Sequence, residues 1–164
     1  VDMAGKYLIA FFSPSPSRRT ETAAHKIADV ISADLYEIVP AIPYTTEDLN
    51  WNDRKSRSSV EMNDPESRPE IAGELPDLSR YHTIFVGFPI WWYTAPHIIN
   101  TFLESFDLTG KTVVPFATSG GSAMGQTTAH LRPSAAGAQV KEGRRFEMGE
   151  TPMAINSWIA ALGI

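Results

Sequence analysis

The sequence contains no cysteine. That one absence removes disulfides, thiolate nucleophiles, Cys-based zinc sites and iron–sulfur clusters together. Positive charge is also scarce. Lys and Arg number 14 against 19 Asp and Glu, a net charge of −5, and a nucleic-acid surface demands a basic face. No apolar run approaches the ~20 residues that a membrane-spanning helix needs. Neither a Gly-x-Gly-x-x-Gly fingerprint nor a Walker lysine motif is present, so a dinucleotide or a nucleoside triphosphate fits poorly. His25, His82, His97 and His130 show no metal-ligand spacing and read as surface or structural groups. The apolar fraction of 43% and charged fraction of 20% are those of a folded chain. A length of 164 residues suits one domain over 1–164. The chain starts Val-Asp-Met, which leaves a removed leader open; the expected location is cytoplasmic.

What is present is a strong alternation of strands and helices. Tyr7 to Phe12 is an uninterrupted apolar run, the mark of a buried strand. A helical pattern follows from Thr20, with Ala23, Ala24, Ile27, Ala28 and Ile31 at spacings of three and four. Asp34 to Val39 has the mixed polarity of an edge strand. Pro40 to His82 is the least periodic part. Thr45 or Thr46 is placed to cap a short helix through Trp51, and 52–69 reads as a polar surface excursion without an apolar face. A further short helix is expected near Ile71 to Leu75.

The central strand begins at Thr83. Ala95 to Phe106 then reads as a helix, Thr112 to Thr118 as a fourth strand, and Gln139 to Phe146 as a polar fifth strand at the edge. Pro115 lies inside the fourth strand and is tolerated only where its missing amide is spared from the ladder. A short helix to about Leu131 and an amphipathic helix carrying Ile155, Trp158, Ile159 and Leu162 complete the pattern. Apolar inner strands alternating with helices predict an open parallel sheet covered on both faces.

Three inner strands run into unusual loops, and ligands of such sheets sit beyond the carboxyl ends of the strands. The first loop offers hydroxyls from Ser13, Ser15, Ser17 and Thr20, the cations Arg18 and Arg19, and a helix N-terminus, the components of a phosphate site. A capped helix with two solvated arginines is the plain alternative. The second loop, Pro89-Ile90-Trp91-Trp92-Tyr93, places adjacent aromatics directly after the central strand, where a flat heterocycle can stack. Adjacent tryptophans also commonly fill a core or an interface. The third loop, Thr118-Ser119-Gly120-Gly121-Ser122, lets backbone approach a polar ring edge. Together the three loops describe a mononucleotide with a flat ring.

At these residues the chain resembles the flavodoxin-like superfamily. The matching elements are Gly87 to Pro96 (Phe-Pro-Ile-Trp-Trp-x-x-Ala-Pro) and Thr118 to Ser122 (Thr-Ser-Gly-Gly-Ser). Asp34 to Ile38, Pro43-Tyr44-Thr45, Asp48-Leu49 and Phe102 to Ser105 ahead of Gly110-Lys111-Thr112 extend the likeness over nearly the whole chain. The resemblance implies a five-stranded parallel sheet in the order 2-1-3-4-5 with helices on both faces, and one non-covalent FMN. It also implies that Ser13, Ser15, Ser17, Arg18, Arg19 and Thr20 hold the phosphate. Pro89 to Tyr93 would flank the isoalloxazine, with Trp92 or Tyr93 stacked on it. Thr118 and Ser119 to Ser122 would hold the pyrimidine edge. The family's phosphate loop usually reads Ser-x-Thr-Gly-Asn-Thr. Here it is about two residues longer, and Pro14 and Pro16 remove two amide donors. A longer loop is similar to those of NAD(P)H-dependent FMN reductases and quinone reductases.

Three functions are consistent with this reading: an FMN-dependent electron carrier or oxidoreductase, an NAD(P)H quinone-reductase type of enzyme, and a non-redox binding module. No side-chain acid or base stands out, and flavin redox chemistry requires none. The expected partner is a redox protein or a small-molecule acceptor, and the expected state a monomer or homodimer. His97, just past the aromatic loop, is the one histidine near the candidate site.

Overall fold

The computed structural model describes residues 7–14, 17–92, 94–118, 124, 126–147 and 149–164. Six strands form one sheet: β1 (Tyr7–Phe11), β2 (Asp34–Glu37), β3 (Thr83–Pro89), β4 (Thr112–Thr118), β5 (Gln139–Val140) and β6 (Arg144–Phe146). The order is β2-β1-β3-β4-β5, with β6 also pairing β4, and every pairing is parallel. This is the predicted 2-1-3-4-5 sheet.

Side chains of a strand alternate between faces, so the apolar runs supply two cores at once. Leu8, Ala10 and Phe12 face one side, with α3 (His97–Glu104), while Ile9 and Phe11 face the other, with α1 (Arg19–Ile31) and α5 (Pro152–Leu162). Phe85, Val86 and Phe88 of β3 and Val113, Val114 and Phe116 of β4 are fully buried. Double-sided burial is the physical reason these strands read as continuous apolar segments. β2 is short and half exposed at the edge.

Two local devices make the sheet possible. Gly87 lies directly across from Phe116, and a Cβ at Gly87 would stand 2.2 Å from that ring. The glycine is there because the phenyl group covers its backbone. Pro115 is the second. Gln139 and Lys141 donate to the carbonyls of Lys111 and Val113, whereas Thr112 donates to His82 on the opposite side. By that alternation the missing amide of Pro115 points at the fifth-strand position. There β5 ends and β6 begins only at Arg144, so the ladder breaks where no donor exists.

The excursion after β2 differs from the expectation. Its helix is α2 (Arg57–Met62), capped by Ser56, whose side chain accepts from the Ser59 amide; Ile71 forms an antiparallel bridge with Pro40 in place of a helix. Ala41 donates to the Glu70 carbonyl and Ala72 to the Val39 carbonyl, which closes the excursion at a neck. The helix escapes periodicity analysis because its buried residues are Ser58 and Ser59. Thr45 and Asp48 exchange side-chain and backbone hydrogen bonds reciprocally, but around a turn rather than a helix. A short helix α4 (Thr127–Leu131) follows the fourth strand, as predicted.

Candidate functional site

β1, β3 and β4 are neighbours in the sheet, so their carboxyl ends open on one edge. Phe12 extends β1 by donating to the Gly87 carbonyl, and its ring is fully buried. That anchor sets Ser13, itself buried, against the first turn of α1. The Ser13 hydroxyl accepts from the Glu21 amide at 3.3 Å. Acceptance uses a lone pair and leaves the Ser13 O–H to donate elsewhere. Thr20 is buried on α1, with its Oγ1 2.9 Å from the Thr118 Oγ1. This contact ties the helix N-terminus to the end of β4.

The two arginines separate into different surroundings. Arg18 precedes α1 in a left-handed conformation, φ 53°. Its guanidinium donates to the Ser13 carbonyl at 2.6 Å, to Glu37 at 2.6 Å and to Glu21 at 2.8 Å. Bonds to Glu21 and then Glu37 raise its pKa, and the bond from Arg18 in turn lowers that of Glu21. A cation neutralised by two carboxylates braces the loop, an arrangement different from an arginine aimed at an anion. Arg19 lines a cavity of about 230 Å³, shared with Ser17, Thr22, Lys26 and Thr118. Phe146 at the end of β6, with Glu147 and Gly149 beyond it, lines the other side of that cavity. Ser15 lies outside the described residues.

The second loop is a tight turn. Pro89 pairs with Thr118, and Ile90 donates to the Thr118 carbonyl at 3.0 Å, so the strand runs one residue past its proline. Trp91 and Thr94 then exchange backbone bonds of 2.9 and 3.0 Å. Trp92 takes φ 48° at the first corner of this turn, as hairpin turns of this length require. A bulky residue in the left-handed region costs about 1 kcal/mol or more. The result is that neighbouring tryptophans have opposite fates. Trp91 packs inward, its ring 5.7 Å from Phe12 and 5.5 Å from Tyr44, edge to face. Trp92 is 40% exposed. Tyr93 lies outside the described residues, as do Ser119, Gly120, Gly121 and Ser122 of the third loop. Thr118 is buried at the end of β4.

Several neighbours were not assigned to the site from the sequence. Tyr44 belongs to the excursion, yet completes the aromatic cluster with Phe12 and Trp91. Glu37 at the end of β2 engages Arg18, and His130 Nδ1 lies 3.0 Å from the Thr94 hydroxyl. Periodicity carries no signal for any of these, since each contact joins segments distant in the chain. His97 opens α3 with its Nδ1 2.6 Å from the Ser67 hydroxyl. Burial, and then the nearby Arg68 charge, lower its pKa. Among the described residues no group of His, Asp and Glu could hold a metal ion, and no helix is long and apolar enough to cross a membrane.

The family model described as Flavodoxin matches residues 6–162. A candidate flavoprotein from Bacteroides eggerthii DSM 20697 is 46% identical, covers 97% of this chain and 98% of its own, and superposes with a TM-score of 0.89. A second, from Bacteroides uniformis ATCC 8492, is 45% identical over 96% and 99%, with a TM-score of 0.88. A flavoprotein from Lactobacillus acidophilus NCFM, solved in complex with FMN, shares the fold at 22% identity over 97% and 99%, with a TM-score of 0.73. No curated protein matches the chain.

Proposed function

Because the chain belongs to the flavodoxin family, we propose that it binds one FMN non-covalently at the three loops and serves electron transfer or an oxidoreductase reaction. The observation that carries this reading is the placement of Trp92. An exposed indole, held in a left-handed turn, follows β3, whose neighbours in the sheet are β1 and β4. Keeping a large apolar ring in water in a costly conformation makes sense where a flat ligand covers it.

The donor set fits the rest of the molecule. The Ser13 O–H, the Ser17 and Thr20 hydroxyls, the Arg19 guanidinium and the first amides of α1 suit a dianionic phosphate. Arg18 acts by bracing Ser13 against Glu37 and Glu21. Pro14 and Pro16 reduce the amide count of this loop, and the hydroxyls offset that loss. Ser15 joins the phosphate set on sequence grounds. Pro89 to Tyr93 flank the ring with Trp92 or Tyr93 stacked on it, and Thr118 to Ser122 take its pyrimidine edge. Bound FMN supplies one- and two-electron redox chemistry through its isoalloxazine. The protein's part is to orient the ring, exclude water from one face and leave an edge for the second reactant.

That reactant is a redox partner protein or a small-molecule acceptor, met by a monomer or homodimer. The NAD(P)H quinone-reductase form of this reading needs room over the flavin for a second substrate. Titration of the purified protein with FMN tests the main proposal. The expected result is a flavin absorbance band that stays with the protein at one equivalent, with quenched FMN fluorescence. Protein that stays colourless at excess FMN would sink the reading. Oxidation of NADPH with a quinone, compared with one-electron reduction by a partner reductase, separates carrier from enzyme.

A further inference from the structure

The excursion between β2 and β3 reaches the aromatic side of the candidate flavin site through Tyr44. Its ring makes edge contacts with Phe12 at 5.7 Å and Trp91 at 5.5 Å, and Phe12 and Trp91 are themselves 5.7 Å apart. The three rings form a closed triangle with one member from each of three segments. Phe12 directly precedes Ser13 of the phosphate loop. Trp91 opens the turn whose next residue is Trp92. Tyr44 alone comes from the excursion.

Tyr44 is clamped from the far side. The Arg57 guanidinium lies 3.8 Å over the centre of its ring. Glu61, one helical turn along α2, accepts from the Tyr44 hydroxyl at 2.5 Å through one carboxylate oxygen and from Arg57 Nε at 3.0 Å through the other. Arg57 also donates to the Ile42 carbonyl at 2.6 Å. The tyrosine ring is thus held on one face by Arg57 and at its hydroxyl by Glu61. Burial and the bond to Glu61 raise the Tyr44 pKa, so the hydroxyl stays a donor at ordinary pH.

We propose that Tyr44 is a positioning residue for the Trp91–Thr94 turn, and that α2 exists to hold it. This rests on the reading of that turn as a wall of the flavin site. A turn closed by the Trp91–Thr94 backbone bonds and strained at Trp92 has two ways to relax: losing those bonds or swinging Trp91 outward. The Phe12–Tyr44 pocket blocks the second, and so keeps the first from opening. The excursion is then part of the site's framework, and its polar sequence follows from its task. It carries a clamp of charged groups rather than an apolar face.

The test uses amide hydrogen exchange in the ligand-free protein, with FMN binding as a second readout. Tyr44→Ala should speed exchange at the Trp91 and Thr94 amides about tenfold or more relative to amides of β1 and β4. The same variant should raise the FMN Kd about tenfold. Tyr44→Phe, which keeps the ring and loses the bond to Glu61, should lie between wild type and Tyr44→Ala in both. Glu61→Gln should follow Tyr44→Phe. A merely structural tyrosine would slow or speed all core amides together and leave the ratio unchanged. Unchanged exchange at Trp91 and Thr94 in Tyr44→Ala, or in Tyr44→Phe and Glu61→Gln should the alanine variant not fold, overturns the assignment. A wild type that binds no FMN refutes the proposed function instead, and the exchange ratio still decides the role of Tyr44.

Discussion

Trp92 and Arg18 both occupy left-handed backbone, and each makes a sharp prediction. Replacing the exposed Trp92 by alanine should weaken FMN binding by roughly 1–2 kcal/mol, about 5- to 30-fold in Kd, with little effect on the ligand-free fold. Trp91→Ala should do the reverse in emphasis, lowering stability by about 2 kcal/mol because its ring fills the space between Phe12 and Tyr44. Equal stability losses in the two variants would contradict the division of roles. For Arg18, both alanine and glycine remove the bonds to Glu21, Glu37 and Ser13. Only alanine keeps the left-handed strain. Arg18→Gly should therefore retain about 1 kcal/mol more stability than Arg18→Ala in urea unfolding. From the sequence, Arg18 and Arg19 were equivalent candidates for a phosphate, since adjacent residues share every local signal. The backbone angle at Arg18 separates them.

At the scale of elements, the strands were legible and their interruptions were only half so. A continuous apolar run identifies a doubly covered strand because both faces need side chains of the same kind. The proline inside β4 requires a gap in the ladder, and the gap appears between β5 and β6. Which neighbour would carry the gap depended on the direction of one amide, which sequence does not encode. Gly87 is the matching case on β3. Its Cβ position is filled by the Phe116 ring, so Gly87→Ala should cost about 2–3 kcal/mol in denaturant unfolding, and Phe116→Leu should recover part of that loss in the double variant. Additive losses would show that the ring is not what excludes the side chain. The helix at Arg57–Met62 escaped detection because it buries serines, and the helix expected at Ile71 to Leu75 is absent because Ile71 pairs with Pro40 instead.

For the molecule as a whole, the excursion is fastened at several points distant in sequence. Its neck closes between Val39–Ala41, just past β2, and Glu70–Ala72; Arg68 makes a paired bridge to Glu104 on α3, and Ser67 meets His97 at the start of that helix. His97 gives this attachment a pH signature. Burial lowers its folded pKa below the unfolded value of 6.5, so the unfolded chain binds the proton more readily. The His97 contribution is therefore complete above pH 6.5 and is lost as pH falls through the folded value. Stability should decline as pH falls below the unfolded value of 6.5, and His97→Gln should flatten that decline. Glu104 and Glu21 have lowered carboxylate pKa values, so their contributions disappear only in a more acidic range. A wild-type slope unchanged in His97→Gln would remove the histidine from this account.

Sequence by itself determined the layered sheet and its strand order through family resemblance, and it singled out three loops that follow inner strands. Periodicity and apolar runs express burial directly, and burial is what builds such a sheet. Tertiary structure decided what those loops do with their residues. It turned Trp91 inward and Trp92 outward, and spent Arg18 on Glu21 and Glu37 while placing Arg19 beside a cavity. It also brought Tyr44 from the least periodic segment into contact with the aromatic turn. These outcomes depend on a backbone angle at Trp92, a carboxylate on the neighbouring strand β2 and a ring from another loop. The last two are contacts between segments distant in the chain, and no local pattern of residues carries them.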